Sequence, residues 1–291
     1  MPALRTLLHG LIDYAGLFPP AGLDLPTAAA NYAAYRTSDE AWALGRFVVP
    51  AARLRELETS AGPQLEAGAP WRISALAGPD LARDRAEITG FNHRQNGRAV
   101  ADAIELKAAT TAGVTAAFAA MSGQADVFVE IPIGDDPAPL IEAIAAAQGR
   151  AKVRTGGVTA DAFPPPADLL RFMRRCMEAN VAFKATAGLH HPLRGGYRLT
   201  YQPDSGCATM FGFLNVFLAA AFLRHGMSDA DALALVEESS PASLRISEES
   251  IAWRSHQLDD AGLQYARRFA LGFGSCSFRE PMDDLRAMRV R

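Results

Sequence analysis

Short runs of β-branched and aromatic residues alternate with helix-forming segments along most of the chain, and this alternation restricts the fold most strongly. Eight such runs lie near residues 12, 48, 75, 105, 129, 153, 183 and 272. Strands that alternate with helices form parallel sheets, and eight strand–helix units predict a closed (β/α)8 TIM barrel. We therefore expect one α/β domain over residues 1–291. The gap between the last two strands is too long for one crossover, which predicts a helical insertion at about 195–258.

The segment 151–196 is the clearest strand–helix–strand unit. Its two β-branched runs contain one lysine each, Lys152 and Lys184, and glycine follows both runs. The residues between the runs have apolar side chains at the spacing of one helical face. Because alternate residues of a strand face the same side, Arg154 shares a side with the first lysine and Thr186 with the second.

Lysine is scarce in this chain. The sequence has 29 lysines and arginines together, of which only Lys107, Lys152 and Lys184 are lysines. All three lie at the ends of predicted strands, and the active sites of such barrels lie at the C-terminal ends of the strands. Arginine keeps its proton in proteins, whereas a lysine amine is neutral and nucleophilic where its surroundings lower its pKa. We expect burial and mutual repulsion to leave one amine of the Lys152–Lys184 pair neutral.

A neutral lysine amine attacks a carbonyl carbon and forms a Schiff base, which lets a carbon–carbon bond break or form without a metal or cofactor. Asp13 and Glu105 are the candidates for the accompanying proton transfers. In an alternative interpretation the lysines are only cations, which bind phosphate or carboxylate or pair with Glu105 and Glu130. That role would suit a barrel enzyme of another class, such as one of phosphoribosyl transfer, or a non-catalytic binding protein.

Several further side chains are candidates for binding a small anionic carbonyl substrate. Those near the ends of predicted strands are Lys107, Glu130, Arg154 and Thr186. The turn that contains Gly274, Ser275 and Ser277 lies between the last strand and a helix, where barrels often bind phosphate. A tight turn without any ligand also explains this glycine-rich composition.

Two adjacent histidines, His190 and His191, follow the seventh predicted strand. Neighbouring residues of an extended chain point in opposite directions, so we expect one imidazole to face the site and the other to pack. For the same reason we expect no metal site, although a metal-dependent hydrolase that uses Glu130 is a competing hypothesis. Arg194 belongs to a loop over 192–206, which we interpret as a lid over an anionic substrate or as an ordinary solvated loop.

Charge and composition restrict the partners and the surroundings of the protein. The net charge is −3 with both signs mixed along the chain, which argues against a nucleic-acid partner. No apolar run is long enough to span a bilayer, so we expect no membrane partner. Three cysteines without CxxC spacing, and an N-terminus without a signal-peptide pattern, favour a cytoplasmic protein. The mostly apolar helix 210–224 is interpreted as core or as the interface of a homodimer.

A series of short motifs resembles those of the deoxyribose-phosphate aldolases, which are Schiff-base (class I) aldolases. LIDYAGLFPP resembles their IDHTLLKP, FVVP their CVxP, and FVEIP their IETxxL. DAIELK resembles the strand of their catalytic aspartate, KVRTGG their KTSTGF, FKATAGLHH their VKASGGIR, and GFGSCS their closing phosphate loop. The motifs follow the same order over nearly the whole chain, although each one is short.

This resemblance implies roles for individual residues in a (β/α)8 barrel without a cofactor. Lys152 would form the Schiff base, Lys184 would lower its pKa, and Glu105 would stand at the position of the catalytic aspartate. Several departures predict a different substrate: Glu105 replaces aspartate, Arg154 replaces a small hydroxyl residue, and Lys107 is additional. The insertion at 195–258 and the pair His190 and His191 also have no counterpart in that family. The expected function is therefore a class I lyase acting on a small phosphorylated or carboxylated carbonyl compound.

Overall fold

The computed structural model describes residues 2–65, 68–121, 123 and 125–289. The strands within these ranges are β1 (Ile12–Tyr14), β2 (Leu44–Pro50), β3 (Trp71–Leu76), β4 (Ala99–Lys107), β5 (Asp126–Glu130), β6 (Arg150–Arg154), β7 (Phe183–Thr186), β8 (Gly195–Arg198), β9 (Cys207–Met210), β10 (Leu244–Ile246), β11 (Ser250–Trp253), β12 (His256–Asp259) and β13 (Ala270–Ser275). The α-helices are α1 (Pro2–Leu8), α2 (Leu25–Tyr35), α3 (Leu54–Ser60), α4 (Gly62–Leu65), α5 (Leu81–Gln95), α6 (Thr111–Met121), α7 (Ala138–Ala146), α8 (Pro166–Glu178), α9 (Phe213–Arg224), α10 (Asp229–Val236), α11 (Asp260–Arg267) and α12 (Arg279–Arg289).

Eight of these strands close into a barrel in which every neighbouring pair is parallel. The order around the barrel is β1-β13-β7-β6-β5-β4-β3-β2. Pairing between β1 and β13 closes the sheet and sets Asp13 opposite Gly274. The predicted (β/α)8 barrel is therefore confirmed, and each of the eight predicted strand positions lies within one of its strands.

Outer helices cover the barrel through aromatic contacts. In α8, the Phe172 ring meets Phe183 of β7 edge-on, with 5.5 Å between the ring centroids. In α9, Phe213 and Phe217 contact the ring of Phe273 in β13. All residues of α9 except its last are buried, because α10 and α11 cover the side that faces away from the barrel. Helix α9 is therefore core, and no helix in the described ranges is long and apolar enough to cross a bilayer.

The region 195–258 contains the predicted helices and also short strands that were not predicted. It begins with a hairpin of β8 and β9, where a loop was predicted, and α9 then serves as the seventh outer helix of the barrel. It ends in an antiparallel sheet of β10, β11 and β12. The N–H of Ala3 donates to the carbonyl of Glu248 at 3.1 Å, so this sheet lies beside α1 at the N-terminal end of the barrel. The predicted helices of this insertion are present as α9 and α10, but its strands were not predicted, because strands of three or four residues are too short to show a clear alternation.

Ion pairs fill the N-terminal end of the barrel interior. Asp102 lies 2.7 Å from Arg46 Nε and 2.6 Å from Arg72 Nη2. Asp126 lies 2.9 Å from Arg150 Nη1. Because Arg150 and Lys152 face the same side of β6, the next layer toward the C-terminal end of the barrel includes Lys152.

Candidate active site

The next layer of the barrel interior consists of polar and charged side chains that are buried together. These residues, each no more than 4% exposed, are Asp13, Ser74, Glu105, Lys152 and Lys184. Lys152 of β6 and Lys184 of β7 are direct partners in the sheet register. The barrel therefore brings together the two lysines and the two carboxylates that the sequence predicts to take part in the chemistry.

Lys184 lies between two carboxylates. Its Nζ donates to Asp13 Oδ2 at 2.5 Å and to Glu105 Oε1 at 2.5 Å. Burial disfavours the ammonium form, but the two carboxylates outweigh burial and raise the pKa of Lys184 above its ordinary value. Lys184 is therefore the charged amine of the pair, because β1 and β4 supply counter-ions that spacing along β6 and β7 does not reveal. The prediction that one amine of the pair is neutral concerns Lys152 and stays a prediction.

Glu105 connects the two lysines. Its Oε2 lies 2.8 Å from Lys152 Nζ, and its Oε1 accepts hydrogen bonds from Lys184 and from the Ser74 hydroxyl at 2.6 Å. Burial by itself would raise the pKa of Glu105, but the two ammonium groups hold it far below its ordinary value. The Glu105 carboxylate is therefore ionised and shared by both lysines.

Glu130 forms ion pairs with the cations nearer the C-terminal end of the barrel. Its Oε2 lies 2.7 Å from Lys152 Nζ, and its Oε1 accepts from Arg154 Nε at 3.0 Å. Lys107 Nζ is 3.7 Å from the same Oε1, and its side chain is 68% exposed. Burial would raise the pKa of Glu130, but these cations, Lys152 foremost, lower it. Lys107 is therefore a surface partner of Glu130.

A cavity of about 290 Å³ opens above these ion pairs at the C-terminal ends of the strands. The predicted site residues that line it are Glu105, Lys152, Arg154, Thr186, His190 and Gly274. Much of the remaining wall is apolar and includes Phe18, Val48, Leu76 and Val158. Asp13 and Lys184 lie outside this lining, so Lys152 is the lysine that a molecule in the cavity would meet.

The two histidines point to different surroundings. His190 lines the cavity, and its Nδ1 is 3.3 Å from Glu280 Oε2, 3.5 Å from Ser275 Oγ and 4.0 Å from Cys276 Sγ. Burial would lower the pKa of His190, but hydrogen bonds with Cys276 and Glu280 raise it to about 9. His191 stacks on Tyr197 and bonds to Asp284 instead.

The turn between β13 and α12 uses its hydroxyl groups internally. Ser275 Oγ donates to the carbonyl of Ser277 at 2.7 Å, and Ser277 Oγ accepts from the N–H of Glu280 at 3.1 Å. Neither serine lines the cavity, which Gly274 and Cys276 contact at this point. The predicted phosphate position therefore presents a thiol to the cavity and has the Glu280 carboxylate in the first turn of the following helix.

The predicted lid is the hairpin of β8 and β9 with its connecting turn. Arg194 is not among the cavity-lining residues, and its backbone N–H donates to Asn215 Oδ1 at 2.8 Å, which attaches the start of the hairpin to α9. Tyr201, in the connecting turn, donates to Glu280 Oε2 at 3.0 Å and lies 3.5 Å from Cys276 Sγ. The hairpin therefore reaches the cavity edge through Tyr201.

The glycines after β6 and β7 let the two following segments approach each other. A Cβ added to Gly188, whose φ is +73°, would lie 3.0 Å from the Cα of Gly156. Nearby, the Thr155 hydroxyl donates to the carbonyl of Ala187 at 2.6 Å. The glycine that follows each lysine strand is therefore needed for this close approach beside the cavity.

Sequence reasoning missed three polar residues of the site. Ser74 faces inward two positions before Leu76 on β3, so the alternation of that strand was a usable signal. Cys276 follows Gly274 by two positions, so the same alternation applied to it, whereas Glu280 gave no such signal because its position depends on how α12 returns to the barrel. Within the described ranges, no group of three His, Cys, Asp or Glu side chains has the arrangement of a metal site.

No protein-family model matches the chain, and no curated protein sequence matches it. The resemblance to deoxyribose-phosphate aldolases therefore stays a prediction from short motifs. Barrels of this type are commonly enzymes, with their sites at the end where this cavity opens.

Proposed function

We propose that this protein is a Schiff-base lyase of the class I aldolase type, a divergent relative of the deoxyribose-phosphate aldolases. This proposal depends on one observation: Lys152 is a buried amine that lines a cavity at the C-terminal end of the barrel. Lys184 does not line this cavity and lies below it between Asp13 and Glu105. Lys152 is therefore the nucleophile in this proposal, and Lys184 is a permanent cation beside it.

A proton must leave Lys152 before its amine attacks carbon. Glu105 Oε2 and Glu130 Oε2, at 2.8 and 2.7 Å, are the nearest acceptors. Glu105 also has Lys184 as a counter-ion, whereas Glu130 shares its second oxygen with Arg154. A substrate that binds Arg154 weakens that contact and makes Glu130 a stronger base. We therefore assign the first proton transfer to Glu130.

The remaining chemistry uses the same groups. The neutral Lys152 amine adds to the carbonyl carbon, and the resulting hydroxyl leaves as water when Glu130 returns its proton. The protonated imine then accepts the electron pair of the neighbouring carbon–carbon bond as it breaks, while a carboxylate removes the proton of the substrate hydroxyl. Protonation of the enamine and addition of water release the product and restore Lys152. Asp13 lies too deep to touch the substrate and is better suited to orienting Lys184.

A second candidate function is anion binding by an enzyme that uses the lysines only as cations. The raised pKa of Lys184, beside Asp13 and Glu105, favours it, and so do the two carboxylates beside Lys152. In that case no carbonyl compound becomes covalently attached to the protein. The two functions therefore differ in whether a covalent adduct forms on the protein, which can be measured.

Reductive trapping distinguishes them. The protein is incubated with hydroxyacetone, pyruvate or dihydroxyacetone phosphate, reduced with borohydride, and mapped by peptide mass spectrometry. We expect a hydride-stable adduct on Lys152 with at least one probe, and no adduct at this position in Lys152→Arg. Lys107 is the internal control, because this exposed lysine lies at the same end of the barrel and should carry no adduct. Absence of any adduct on Lys152 with all three probes would contradict the proposal.

A further inference from the structure

The charged side chains around the cavity have a net positive charge that one negative charge on the substrate would balance. The charged side chains that line the cavity, together with the lysines and carboxylates joined to them by ion pairs within 4.0 Å, form one cluster. Its cations are Lys107, Lys152, Arg154, Lys184 and His190, and its carboxylates are Asp13, Glu105, Glu130 and Glu280. One positive charge is therefore in excess, which matches a carboxylate more closely than a phosphate dianion.

Arg154 and His190 are the cations that remain available at the cavity. Arg154 uses Nε for Glu130, and its side chain is 45% exposed. A guanidinium fork of this kind suits the two oxygens of a carboxylate. Every contact of the His190 ring with a polar atom of the described residues is made through Nδ1. The Nε2–H is therefore the donor left for a molecule in the cavity.

The place where barrels often bind phosphate is unfavourable for that group here. Ser275 and Ser277 use their hydroxyls within the turn, and the Glu280 carboxylate stands in the first turn of α12. Tyr201 and His190 both contact this carboxylate and keep it beside the cavity. A phosphate dianion at this position would meet a negative charge at close range.

The size and wall of the cavity restrict the rest of the molecule. A volume of about 290 Å³ is at the lower end of the range for small-molecule sites. Phe18, Val48, Leu76 and Val158 supply an apolar wall. Lys152 and Arg154 are two positions apart on one strand, about 6.6 Å along it, so a carbonyl and a carboxylate of one small molecule reach both.

We infer that the cavity takes a small oxo acid, with its carboxylate between Arg154 and His190 and its carbonyl carbon at Lys152. This inference rests on the proposed Schiff-base function for the covalent step, in which the amine and the oxo group condense with loss of one water. Recognition of the carboxylate does not depend on that step. The two parts are therefore separable by experiment.

The first test compares the three ketones in the trapping reaction over a range of concentrations. We expect pyruvate to reach half-maximal labelling of Lys152 at a concentration about tenfold or more below those of hydroxyacetone and dihydroxyacetone phosphate. Arg154→Gln and His190→Gln should each raise the half-maximal concentration of pyruvate by about 10- to 100-fold relative to that of hydroxyacetone. Arg245→Gln, which replaces an exposed arginine in the β10–β12 sheet, is the matched control and should change the half-maximal concentration of neither ketone.

Labelling that favours dihydroxyacetone phosphate, or pyruvate labelling that Arg154→Gln leaves unchanged, would overturn the inference and leave the Schiff base intact.

The second test uses oxamate, which has the carboxylate of pyruvate but no ketone. We expect oxamate to raise the thermal midpoint of the wild-type protein and not of Arg154→Gln, and inorganic phosphate at the same concentration to have a smaller effect. If no probe labels Lys152 but oxamate binds in this way, the lyase proposal fails and carboxylate recognition stands. If oxamate does not bind, carboxylate recognition fails.

Discussion

Replacing Glu105 with glutamine tests the central ion-pair cluster most directly. The substitution keeps the shape of the side chain but removes the negative charge that Lys152 and Lys184 share at 2.8 and 2.5 Å. Removing one partner of a buried ion pair costs about 3–5 kcal/mol, because the other charge stays buried. Asp13 and Glu130 each remain beside one lysine, so we expect a loss of unfolding free energy within this range at pH 7.

The pH dependence of this loss has a definite sign. The folded protein holds the pKa of Glu105 far below the ordinary value of 4.5, so this carboxylate stabilises the fold fully above about pH 4.5. As the pH falls below that value, the unfolded chain takes up a proton at this position while the folded protein does not. The difference in unfolding free energy between the wild type and Glu105→Gln should therefore be constant from pH 5 to 7 and shrink toward pH 3.

Urea unfolding followed by tryptophan fluorescence measures both quantities, because Trp71 and Trp253 are fully buried in the folded protein. Glu87→Gln is the matched control. It removes the same charge from a pair with Arg55 at 3.0 Å on the surface, where such pairs contribute about 0–1 kcal/mol. A loss for Glu105→Gln no larger than that of the control would refute the view that this carboxylate holds two ammonium groups. A difference that stays constant down to pH 3 would refute the direction of its pKa.

Three further predictions concern residues around the cavity. Gly188→Ala should cost more stability than Gly22→Ala in urea unfolding, since both have positive φ but only the first would crowd a neighbouring backbone; the φ strain alone costs about 1–3 kcal/mol. Ser74→Ala should cost about 1.5–3 kcal/mol in the same assay, because its hydroxyl donates to the ionised Glu105. His190, with a pKa raised to about 9 beside Cys276 and Glu280, stabilises the fold fully below about pH 6.5, and this is lost as the pH rises through 9. The stability difference between the wild type and His190→Gln should therefore decrease between pH 6.5 and 9, and a difference that grows over this range would contradict the assignment.

Local patterns in the sequence were sufficient to predict the barrel. Strands and helices depend on side-chain periods of two and 3.6 residues, which short stretches of chain display by themselves. A local signal does not always decide an element: Gly90 lies inside α5, which continues to Gln95 and has its C-cap at Asn96, whose φ is +46°. A glycine within a helix is a weak stop signal, because packing of the rest of the helix offsets its cost.

The alternation of strands and helices, together with the placement of rare lysines at strand ends, determined that two amines would meet inside one barrel. It did not determine their charge state. Lys184 finds its counter-ions 171 and 79 residues away along the chain, in Asp13 and Glu105. Only closure of all eight strands sets those carboxylates beside it, because a pKa depends on distances across the barrel and not on neighbours in sequence.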